Sequence, residues 1–422
     1  MKQPAFDSIT LPNGLRIVGE KLTHVRSCTV GVWVKVGSAQ EEEAENGLSH
    51  FIEHLVFKGT QNRSAREIAT EMDSVGGQLN AFTAKECTCY YAKVIDEDLP
   101  LAVDILSDLV IRPIFDDAEL QKERGVVLEE IAMMEDTPDD LVHELLADVQ
   151  YTGSLHRPIL GTNEILLRHD RNAVVRYWQK HYTPQNMVLA IAGNYNWDEF
   201  VALATQYFSG YANTTVLATP YPPQGFRAGR IAKIKDTEQL HVCMGFEGVP
   251  AFCNDQYTMT ILNTALGGGM SSRLFQRIRE DLGMAYSIYS YVSGYQSLGA
   301  LTVYAGTTPA NGDTVMSEIS TELARFAKEG IQEEEFLSAK AQIRSGYMLG
   351  LENSSGRMQS LGRGLLLYNL LLTPDEVIAK IDAVTFADML AMAERTLSKK
   401  PSVSLVGNQA DAYLSRWEAL HG

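Results

Sequence analysis

The chain of 422 residues lacks any apolar segment long enough to cross a membrane. No run approaches the ~20 consecutive apolar residues that a transmembrane helix requires. The first residues, MKQPAFDSITLPNG, also lack the apolar core of a signal peptide and the arginine-rich amphipathic character of a transit peptide. These absences argue against a membrane-spanning protein and predict a cytoplasmic protein with no membrane partner.

Cysteine is scarce, and its spacing forms no C-x-x-C pair. The odd number of five thiols predicts reduced, mostly buried side chains rather than a disulfide framework. Cys87 and Cys89 alternate within ECTCYYAKV, so both are expected on one face of a strand, where core packing is favoured over a metal role. The five cysteines are Cys28, Cys87, Cys89, Cys243 and Cys253.

Positive charge is in deficit. The chain has 36 Lys and Arg residues against 53 Asp and Glu residues, a net charge of -17. This balance argues against a nucleic-acid partner, because phosphate binding relies on clustered Lys and Arg. It permits attraction of cationic peptides into an acidic cavity. Most of the negative charge, including the run from Glu41 to Glu45, is expected on the solvated surface.

The chain does contain a short pattern of two histidines and a glutamate. Residues 50 to 54 read HFIEH, the inverted form H-x-x-E-H of the zinc-peptidase motif. In a helix, His50 and His54 lie one turn apart on one face, so both can bind one metal, and Glu53 falls beside them. A hydrolytic zinc site needs a third protein ligand and an open position for water, whose proton a carboxylate outside the ligand set can accept.

The residues around this motif predict that its helix is buried. The segment NGLSHFIEHLVFKGT is apolar almost all round. Buried histidines and a buried glutamate need polar partners, and a metal ion supplies them. A surface or core pair of histidines without a metal is the alternative reading of the motif alone.

A later segment offers the third ligand. In DDAELQKERGVVLEEIAMMED, Glu123 and Glu130 are seven residues apart and share a helix face with apolar residues, whereas Glu129 points towards the solvated side. We therefore predict Glu130 as the ligand, with Glu123 hydrogen-bonded to His50 or His54 to hold its tautomer. Two ordinary glutamates on an acidic helix remain the alternative for this segment taken alone.

These residues belong to a series of blocks that resembles the pitrilysin, insulysin and mitochondrial processing peptidase superfamily of inverted zincins, and most closely its single-unit bacterial branch. In that family the third zinc ligand is a glutamate about 76 positions beyond the second motif histidine, and Glu130 stands at that spacing. The resemblance implies that His50, His54 and Glu130 bind zinc and that Glu53 is the general base. Nearly the whole chain takes part, in the blocks LPNGLRIV, VGSAQEEEAENGLSHFIEHLVFKGT, GGQLNAFTAKECTCYYAKV, ERGVVLEEI, PILGT, LGGGMSSRLFQRIREDLGMAYSIYSY and LVGN.

The two halves of the chain repeat one pattern. The strand CTVGVWVKVGS is answered by LHVCMGFEGV about 210 residues later, and MVLAIAGN by PSVSLVGN. We predict an α+β protein with two homologous domains, each a mixed or largely antiparallel sheet with helices packed on one face. The predicted limits are 1–212 for a zinc-binding catalytic domain, 213–232 for a linker and 233–422 for a domain without metal. One zinc ion per chain follows, because YTMTILNTALGGG replaces the motif helix there and has no histidine.

The resemblance also implies residues that handle the substrate. The strand QLNAFTA matches the strand that pairs with an extended substrate in relatives, which indicates Asn80, Ala81 and Phe82, with an interior strand that binds nothing as the alternative. Arg279 and Tyr286 match an arginine and a tyrosine that stabilise oxyanion charge on the substrate carbonyl. In the family this pair faces the zinc of another half-unit, which implies a homodimer that encloses a chamber, with both residues acting in trans.

The predicted function is a zinc metalloendopeptidase that hydrolyses extended, unfolded peptides. The alternative is a noncatalytic subunit that binds peptides or scaffolds a processing complex, and a third possibility is another zinc amidohydrolase. The intact HFIEH motif and Glu130 argue against the noncatalytic alternative. The run Gly267 to Gly269 is not a phosphate loop, and a turn that ends a helix is expected there, with a substrate-engaging loop as the alternative.

Overall fold

The computed structural model describes residues 6–212 and 223–421. The strands, in chain order, are β1 (Asp7–Thr10), β2 (Arg16–Lys21), β3 (Ser27–Val34), β4 (Gln78–Thr83), β5 (Thr88–Ile95), β6 (Tyr151–Thr152), β7 (Met187–Gly193), β8 (Gly225–Phe226), β9 (Arg230–Ile234), β10 (Leu240–Glu247), β11 (Ala285–Gly294), β12 (Gly299–Thr307) and β13 (Ser402–Gly407).

The helices lie between these strands, singly or in series. They are α1 (Leu48–Val56), α2 (Ala65–Ser74), α3 (Leu99–Ile111), α4 (Asp117–Asp136), α5 (Pro138–Gln150), α6 (Asn163–Leu166), α7 (Arg171–His181), α8 (Trp197–Phe208), α9 (Gln256–Gly267), α10 (Gly312–Glu329), α11 (Glu333–Gly350), α12 (Ser354–Arg363), α13 (Pro374–Ala383), α14 (Phe386–Leu397) and α15 (Ala410–His421). None of the helices in the described ranges combines the length and the apolar character of a transmembrane span.

The chain divides into two compact units, neither of which is a continuous segment. The first unit is built from the described residues of Met1–Ile131, Arg157–Pro222 and Gly350–Thr373. The second is built from those of Ala132–His156, Pro223–Leu349 and Pro374–Gly422. This division differs from the limits predicted from the sequence, because one segment of each half packs in the unit of the other half.

Of the predicted linker, residues 213–232, the structure describes only the second part. Residues 213–222 lie outside the described part of the chain. Residues 223–232 belong to the second unit, where β8 pairs with β6 and β9 begins.

The two units contain similar sheets. In the first, the strand order is β1-β2-β7-β3-β5-β4, and in the second it is β11-β12-β10-β13-β9. Read from opposite ends, β2-β7-β3-β5-β4 and β9-β13-β10-β12-β11 follow the same chain order. Each sheet has one parallel pair, β2 with β7 or β13 with β9, and the other pairs are antiparallel. The predicted α+β class with two homologous mixed sheets is confirmed.

Strand periodicity explains how each sheet is covered. In the first unit, Cys28, Val30, Val32 and Val34 of β3 face the large core that includes α1, α3, α7 and α8. Trp33 points to the opposite face, where its indole N–H donates to the Met358 sulfur of α12 at 3.3 Å. The second unit repeats this arrangement, with α5 on the face opposite its main core. A helix on the second face of each sheet was not predicted from the sequence.

The cysteines lie mainly in these cores. Cys28, Cys87, Cys89 and Cys243 are buried, Cys253 is half-buried, and all five are free thiols. Cys87 and Cys89 pack on the same face of the first sheet, as the alternation of β5 predicted. The expectation of mostly buried thiols is confirmed.

The glycine run ends α9, but close packing rather than backbone conformation explains it. None of Gly267, Gly268 and Gly269 has a positive φ. A Cβ atom on Gly267 would lie 2.6 Å from the hydroxyl oxygen of Ser290 and 2.7 Å from its backbone nitrogen. Glycine is therefore required where α9 packs against β11, and the left-handed turn expected from the sequence does not form.

Candidate metal centre

The centre begins with α1, a short helix that is buried on most sides. Leu48, Phe51, Ile52, Leu55 and Val56 pack into the core of the first unit. The polar residues of the motif project from the remaining face and are only partly buried. The predicted burial of the motif helix is confirmed, and it leaves one side of α1 for chemistry.

A buried carboxylate holds the start of α1. Glu41 is 3% exposed and accepts hydrogen bonds from the backbone N–H groups of Gly47 and Ser49, at 2.9 and 2.8 Å, and from the side-chain amide of Asn46. Negative charge at a helix N-terminus satisfies free N–H groups and is favoured by the helix dipole. The expectation that Glu41 belongs to a solvated acidic run was therefore wrong.

Glycines at two distant positions let the chain pass closely beside this helix start. Gly47 has a φ of 93°, and a Cβ there would lie 2.8 Å from the carbonyl oxygen of Leu160. Gly161 has a φ of 77°, and its Cβ would lie 2.7 Å from the carbonyl oxygen of Asn46. The backbones of the segments ENGLSH and PILGT are therefore in direct contact. A side chain at either glycine would push the two segments apart and displace the start of α1.

Two histidines and a glutamate converge on the open face of α1. The imidazole rings of His50 and His54 are 4.7 Å apart between centroids. Glu130 of α4 places its Oε2 atom 3.8 Å from His50 Nε2 and 3.6 Å from His54 Nε2. One ligand atom from each residue lies within 4.8 Å of the others. We call these three residues the metal cluster.

The geometry and donor types of the metal cluster suit zinc. Three ligands at about 2.0–2.1 Å from a tetrahedral ion lie about 3.4 Å from one another. The carboxylate-to-imidazole distances of 3.6 and 3.8 Å are close to that separation, so small side-chain movements bring all three donors to one ion. Two imidazoles and one carboxylate also form a typical catalytic zinc set with an open position. Within residues 6–212 and 223–421, no second group of this kind occurs.

The acidic helix α4 behaves as its periodicity predicted. Glu123 is buried and Glu129 is exposed, while Glu130 lies between these extremes and reaches the histidines. The Oε2 atom of Glu123 lies 3.3 Å from His54 Nδ1, the ring nitrogen that faces away from the metal cluster. Glu123 therefore contacts His54 rather than His50, a choice that the sequence left open.

Glu53 stands beside the metal cluster without joining it. Its Oε2 atom accepts a hydrogen bond of 2.5 Å from the hydroxyl of Thr83, the last residue of β4. Thr83 was not predicted as a site residue. The signal that could have found it is strand alternation: Leu79 and Ala81 of β4 face the core that holds α1, so Thr83 faces the same way.

Burial shifts the pKa of two groups of the motif, His50 and Glu53. It lowers the pKa of His50 to about 4, with a contribution from neighbouring His54, so this imidazole is neutral and free to bind a cation near pH 7. Burial also raises the pKa of Glu53, while the Thr83 hydrogen bond and His54 act in the opposite direction. A carboxyl group with a raised pKa is a stronger base, which suits proton transfer.

The predicted substrate strand lies at the edge of its sheet. β4 pairs with β5 on one side and is the last strand in the order, so the interior-strand alternative was wrong. Asn80 is exposed, and its side chain accepts a hydrogen bond from the backbone N–H of Ala81. The centroid of the Phe82 ring lies 5.6 Å from that of Trp33 in an edge-to-face contact, and Phe82 is half-buried. The outer edge of β4 can pair with an added strand.

In the second unit, Arg279 and Tyr286 are neighbours. The Arg279 guanidinium carbon lies 5.4 Å from the centroid of the Tyr286 ring and 4.9 Å from that of Phe275. Tyr286 is 78% exposed at the start of β11, and Arg279 is exposed as well. The two aromatic rings hold the cation by cation–π contacts. Phe275 was not predicted, and its position four residues before Arg279 is the signal that indicates it.

Comparisons with known proteins agree with this arrangement. Residues 16–163 match the family described as "Insulinase (Peptidase family M16)", and residues 169–343 match the "Peptidase M16 inactive domain". The chain is 42% identical to an "Uncharacterized zinc protease" of Streptomyces coelicolor over 416 residues, 96% of this chain and 90% of the relative. It is 42% identical to the "Uncharacterized zinc protease YmxG" of Bacillus subtilis over 398 residues, 94% of this chain and 97% of the relative.

A solved structure shares the fold. "The crystal structure of a protease from Helicobacter pylori" superposes with a TM-score of 0.90 at 22% identity, covering 96% of this chain and 99% of that one. The two family matches together span most of the chain, and the relatives cover it almost end to end. The chain therefore belongs to peptidase family M16, in its single-unit bacterial branch.

Proposed function

We propose that this protein is a zinc-dependent metalloendopeptidase that cuts extended, unfolded peptides. The observation that carries the proposal is the convergence of His50, His54 and Glu130 beside a fourth residue, Glu53, that is left free for proton transfer. The names of the Streptomyces and Bacillus relatives support the same activity. The first unit is then the catalytic one, with one zinc ion per chain.

Each residue of the site has a separate role in the proposed reaction. His50, His54 and Glu130 would hold the ion, which when bound would polarise the scissile carbonyl and lower the pKa of water towards about 7. Glu53 accepts a proton from the attacking water and delivers it to the leaving amine. Thr83 keeps the carboxylate of Glu53 in place. Because water attacks directly, no acyl-enzyme forms.

The substrate is held through its backbone. We propose that it adds to the outer edge of β4 at Asn80, Ala81 and Phe82 as a further strand. Main-chain hydrogen bonds of this kind do not depend on side-chain identity, so a range of sequences is accepted as long as the peptide is extended. Within a folded protein most strands are already paired on both sides, so we propose that extended, unfolded peptides are the preferred substrates.

The second unit completes the site in trans. We propose a homodimer that encloses a chamber, in which Arg279 and Tyr286 of one protomer would stabilise negative charge that develops on the substrate carbonyl beside the metal cluster of its partner. Their exposure and mutual contact leave a guanidinium and a phenol available for this role. The free, mostly buried thiols suit a reducing compartment, and we propose the cytoplasm.

A peptide-library experiment tests the proposed activity. The purified protein is incubated with a random peptide library, untreated, treated with a chelator, and treated with chelator and then resupplied with zinc. We expect internal cleavage that disappears with the chelator and returns with zinc. Peptide binding without cleavage in the zinc-loaded sample would support the noncatalytic alternative instead.

The Thr83 contact makes a prediction about catalysis. Thr83→Val keeps the shape of the side chain and removes the hydroxyl that donates to Glu53. Losing one hydrogen bond to a charged group is expected to lower kcat by about 10-fold, with little change in zinc content. The same substitution at Thr70, which is exposed on α2, serves as the control and should leave kcat unchanged. Wild-type kcat in Thr83→Val would remove Thr83 from the site.

Action in trans makes a second prediction. Dimers of Glu53→Gln chains lack the base, and dimers of Arg279→Ala chains are expected to lose about 10²–10³-fold in kcat. Mixing the two chains should restore activity, because each mixed dimer contains one site with both residues intact. The measurement is peptide cleavage after the two variants have exchanged subunits. No recovery in dimers verified as mixed would indicate that Arg279 acts within its own chain.

A further inference from the structure

Lys58 connects to the metal cluster through Glu123. It follows α1 by two residues, where its backbone N–H donates to the carbonyl oxygen of Leu55 at 3.1 Å. Its ammonium nitrogen lies 2.9 Å from Glu123 Oε1. The other oxygen of the same carboxylate, Oε2, lies 3.3 Å from His54 Nδ1. Glu123 thus bridges a lysine and a histidine, one on each oxygen.

The burial of Glu123 gives this bridge its importance. The side chain of Glu123 is only 8% exposed, and that of Lys58 is 33% exposed. A buried carboxylate loses most of its hydration, so its orientation is set by the charged groups that contact it. Within the described part of the chain, Lys58 is the only lysine or arginine that forms an ion pair with Glu123. With Oε1 fixed by Lys58, the Oε2 atom stays directed at His54.

The two histidines of the metal cluster differ in this respect. His54 has Glu123 behind it, whereas His50 Nδ1 is buried and has no hydrogen-bond partner among the residues that the structure describes. A carboxylate behind a metal-binding imidazole fixes its tautomer and ring orientation and increases its basicity. In the metal cluster, only the His54 imidazole is therefore oriented by a carboxylate behind it. The orientation of His54 in turn depends on the ion pair of Lys58 and Glu123.

We propose that Lys58 is a positioning residue that sets the zinc affinity of the metal cluster by holding Glu123 against His54. This inference rests on the proposed zinc site and goes beyond it, because Lys58 touches neither the ion nor the substrate. Its effect on zinc binding requires Glu123. It is therefore expected to vanish when Glu123 is replaced.

The test measures zinc affinity directly in the full-length protein. Zinc is titrated into metal-free protein in competition with a fluorescent chelator, and no substrate is used. We expect Lys58→Met to bind zinc about 10- to 100-fold more weakly, the range found when groups behind a ligand are removed. Lys58→Arg keeps the cation and should stay within about threefold of the wild type.

A neighbouring lysine provides a matched control. Lys122 adjoins Glu123 on α4, but its ammonium group pairs with Glu119 at 2.5 Å and is largely exposed. Lys122→Met removes the same charge from the same neighbourhood, so it reports the long-range effect of charge alone. We expect wild-type zinc affinity in this variant. Equal weakening in Lys58→Met and Lys122→Met would overturn the proposal.

A double-mutant cycle tests whether Lys58 acts through Glu123. In a Glu123→Ala background, Lys58→Met should cause no further loss of zinc affinity. Additive losses would show that Lys58 acts independently and would overturn the proposal. Thermal unfolding of the metal-free variants is measured in parallel, and if Lys58→Met unfolds early, Lys58→Gln replaces it in the same cycle.

The outcomes separate this proposal from the proposed function. If the wild-type protein binds no zinc, the zinc site itself is wrong. If the wild type binds zinc and Lys58→Met binds it equally well, the zinc site stands and the role of Lys58 is refuted.

Discussion

Replacing Glu53 with glutamine is expected to remove nearly all peptide cleavage while the protein keeps its zinc. Glutamine has the size of glutamate and can still contact Thr83, but its amide cannot accept a proton from water. Because Glu53 is outside the metal cluster, the ligand set is intact in this variant. General-base catalysis contributes about 10²–10⁴-fold, so kcat should fall by about that factor. Cleavage of a fluorogenic peptide and zinc content per chain are the two measurements.

The control for this variant is the same change at an exposed carboxylate. Glu43 lies shortly before α1 and is exposed, so Glu43→Gln removes one charge without touching the centre. It should retain wild-type kcat and zinc. A Glu53→Gln protein that contains zinc and cleaves peptide at the wild-type rate would exclude Glu53 as the base.

Replacing Glu130 with glutamine is expected to remove zinc and activity together. The neutral amide oxygen is a poor substitute for a carboxylate, and the two histidines that remain are fewer than the three protein ligands of a catalytic zinc site. We expect zinc affinity to fall by more than about 100-fold, beyond the usual effect of losing a group behind a ligand. Zinc per chain after gel filtration and the dissociation constant from chelator competition measure this.

Glu129 is the matched control, because it is the adjacent residue of α4, carries the same charge and is exposed. Glu129→Gln should bind zinc and cleave peptide normally. If Glu130→Gln instead kept one zinc ion per chain at wild-type affinity, another residue would have to be the third ligand. The reading of α4 as a ligand helix would then fail.

Much of the centre was predictable because it depends on short-range periodicity. The spacing of His50 and His54 places both on one face of any helix that contains them. The same rule separates Glu130 from Glu129 on α4, and the structure agrees. The duplication could also be predicted from the sequence, because similar strand patterns recur in the same order in both halves. The structure shows that these strands form similar sheets.

Other contacts could not be predicted because they join residues that are distant in sequence. Thr83 reaches Glu53 only because β4 ends beside α1. Glu41 looked like part of a solvated run, yet the turn before α1 folds it back onto free N–H groups. The choice of His54 over His50 as the partner of Glu123 depends on how α4 is rotated against α1. Hydrophobic patterns do not specify such a rotation.

The domain limits were also predictable only in part. Composition and repeats predict two halves, but α5 and α12 each pack in the unit formed mainly by the other half. Both helices carry apolar side chains that suit any exposed sheet face, and local sequence does not say which sheet they cover. That choice is made by the complementarity of particular surfaces, such as Met358 against Trp33 in the first unit.

The sequence by itself determined the residue types of the centre, their order along two helices, and the family to which the chain belongs. Each of these depends on local spacing, which a helix or strand converts directly into a shared face. Only the tertiary structure decided that Glu123 contacts His54 and that the Thr83 hydroxyl holds Glu53. It also decided which sheet is covered by α5 and which by α12. These outcomes depend on packing between elements that lie far apart in the chain, where distances of a few tenths of an ångström decide whether a contact forms.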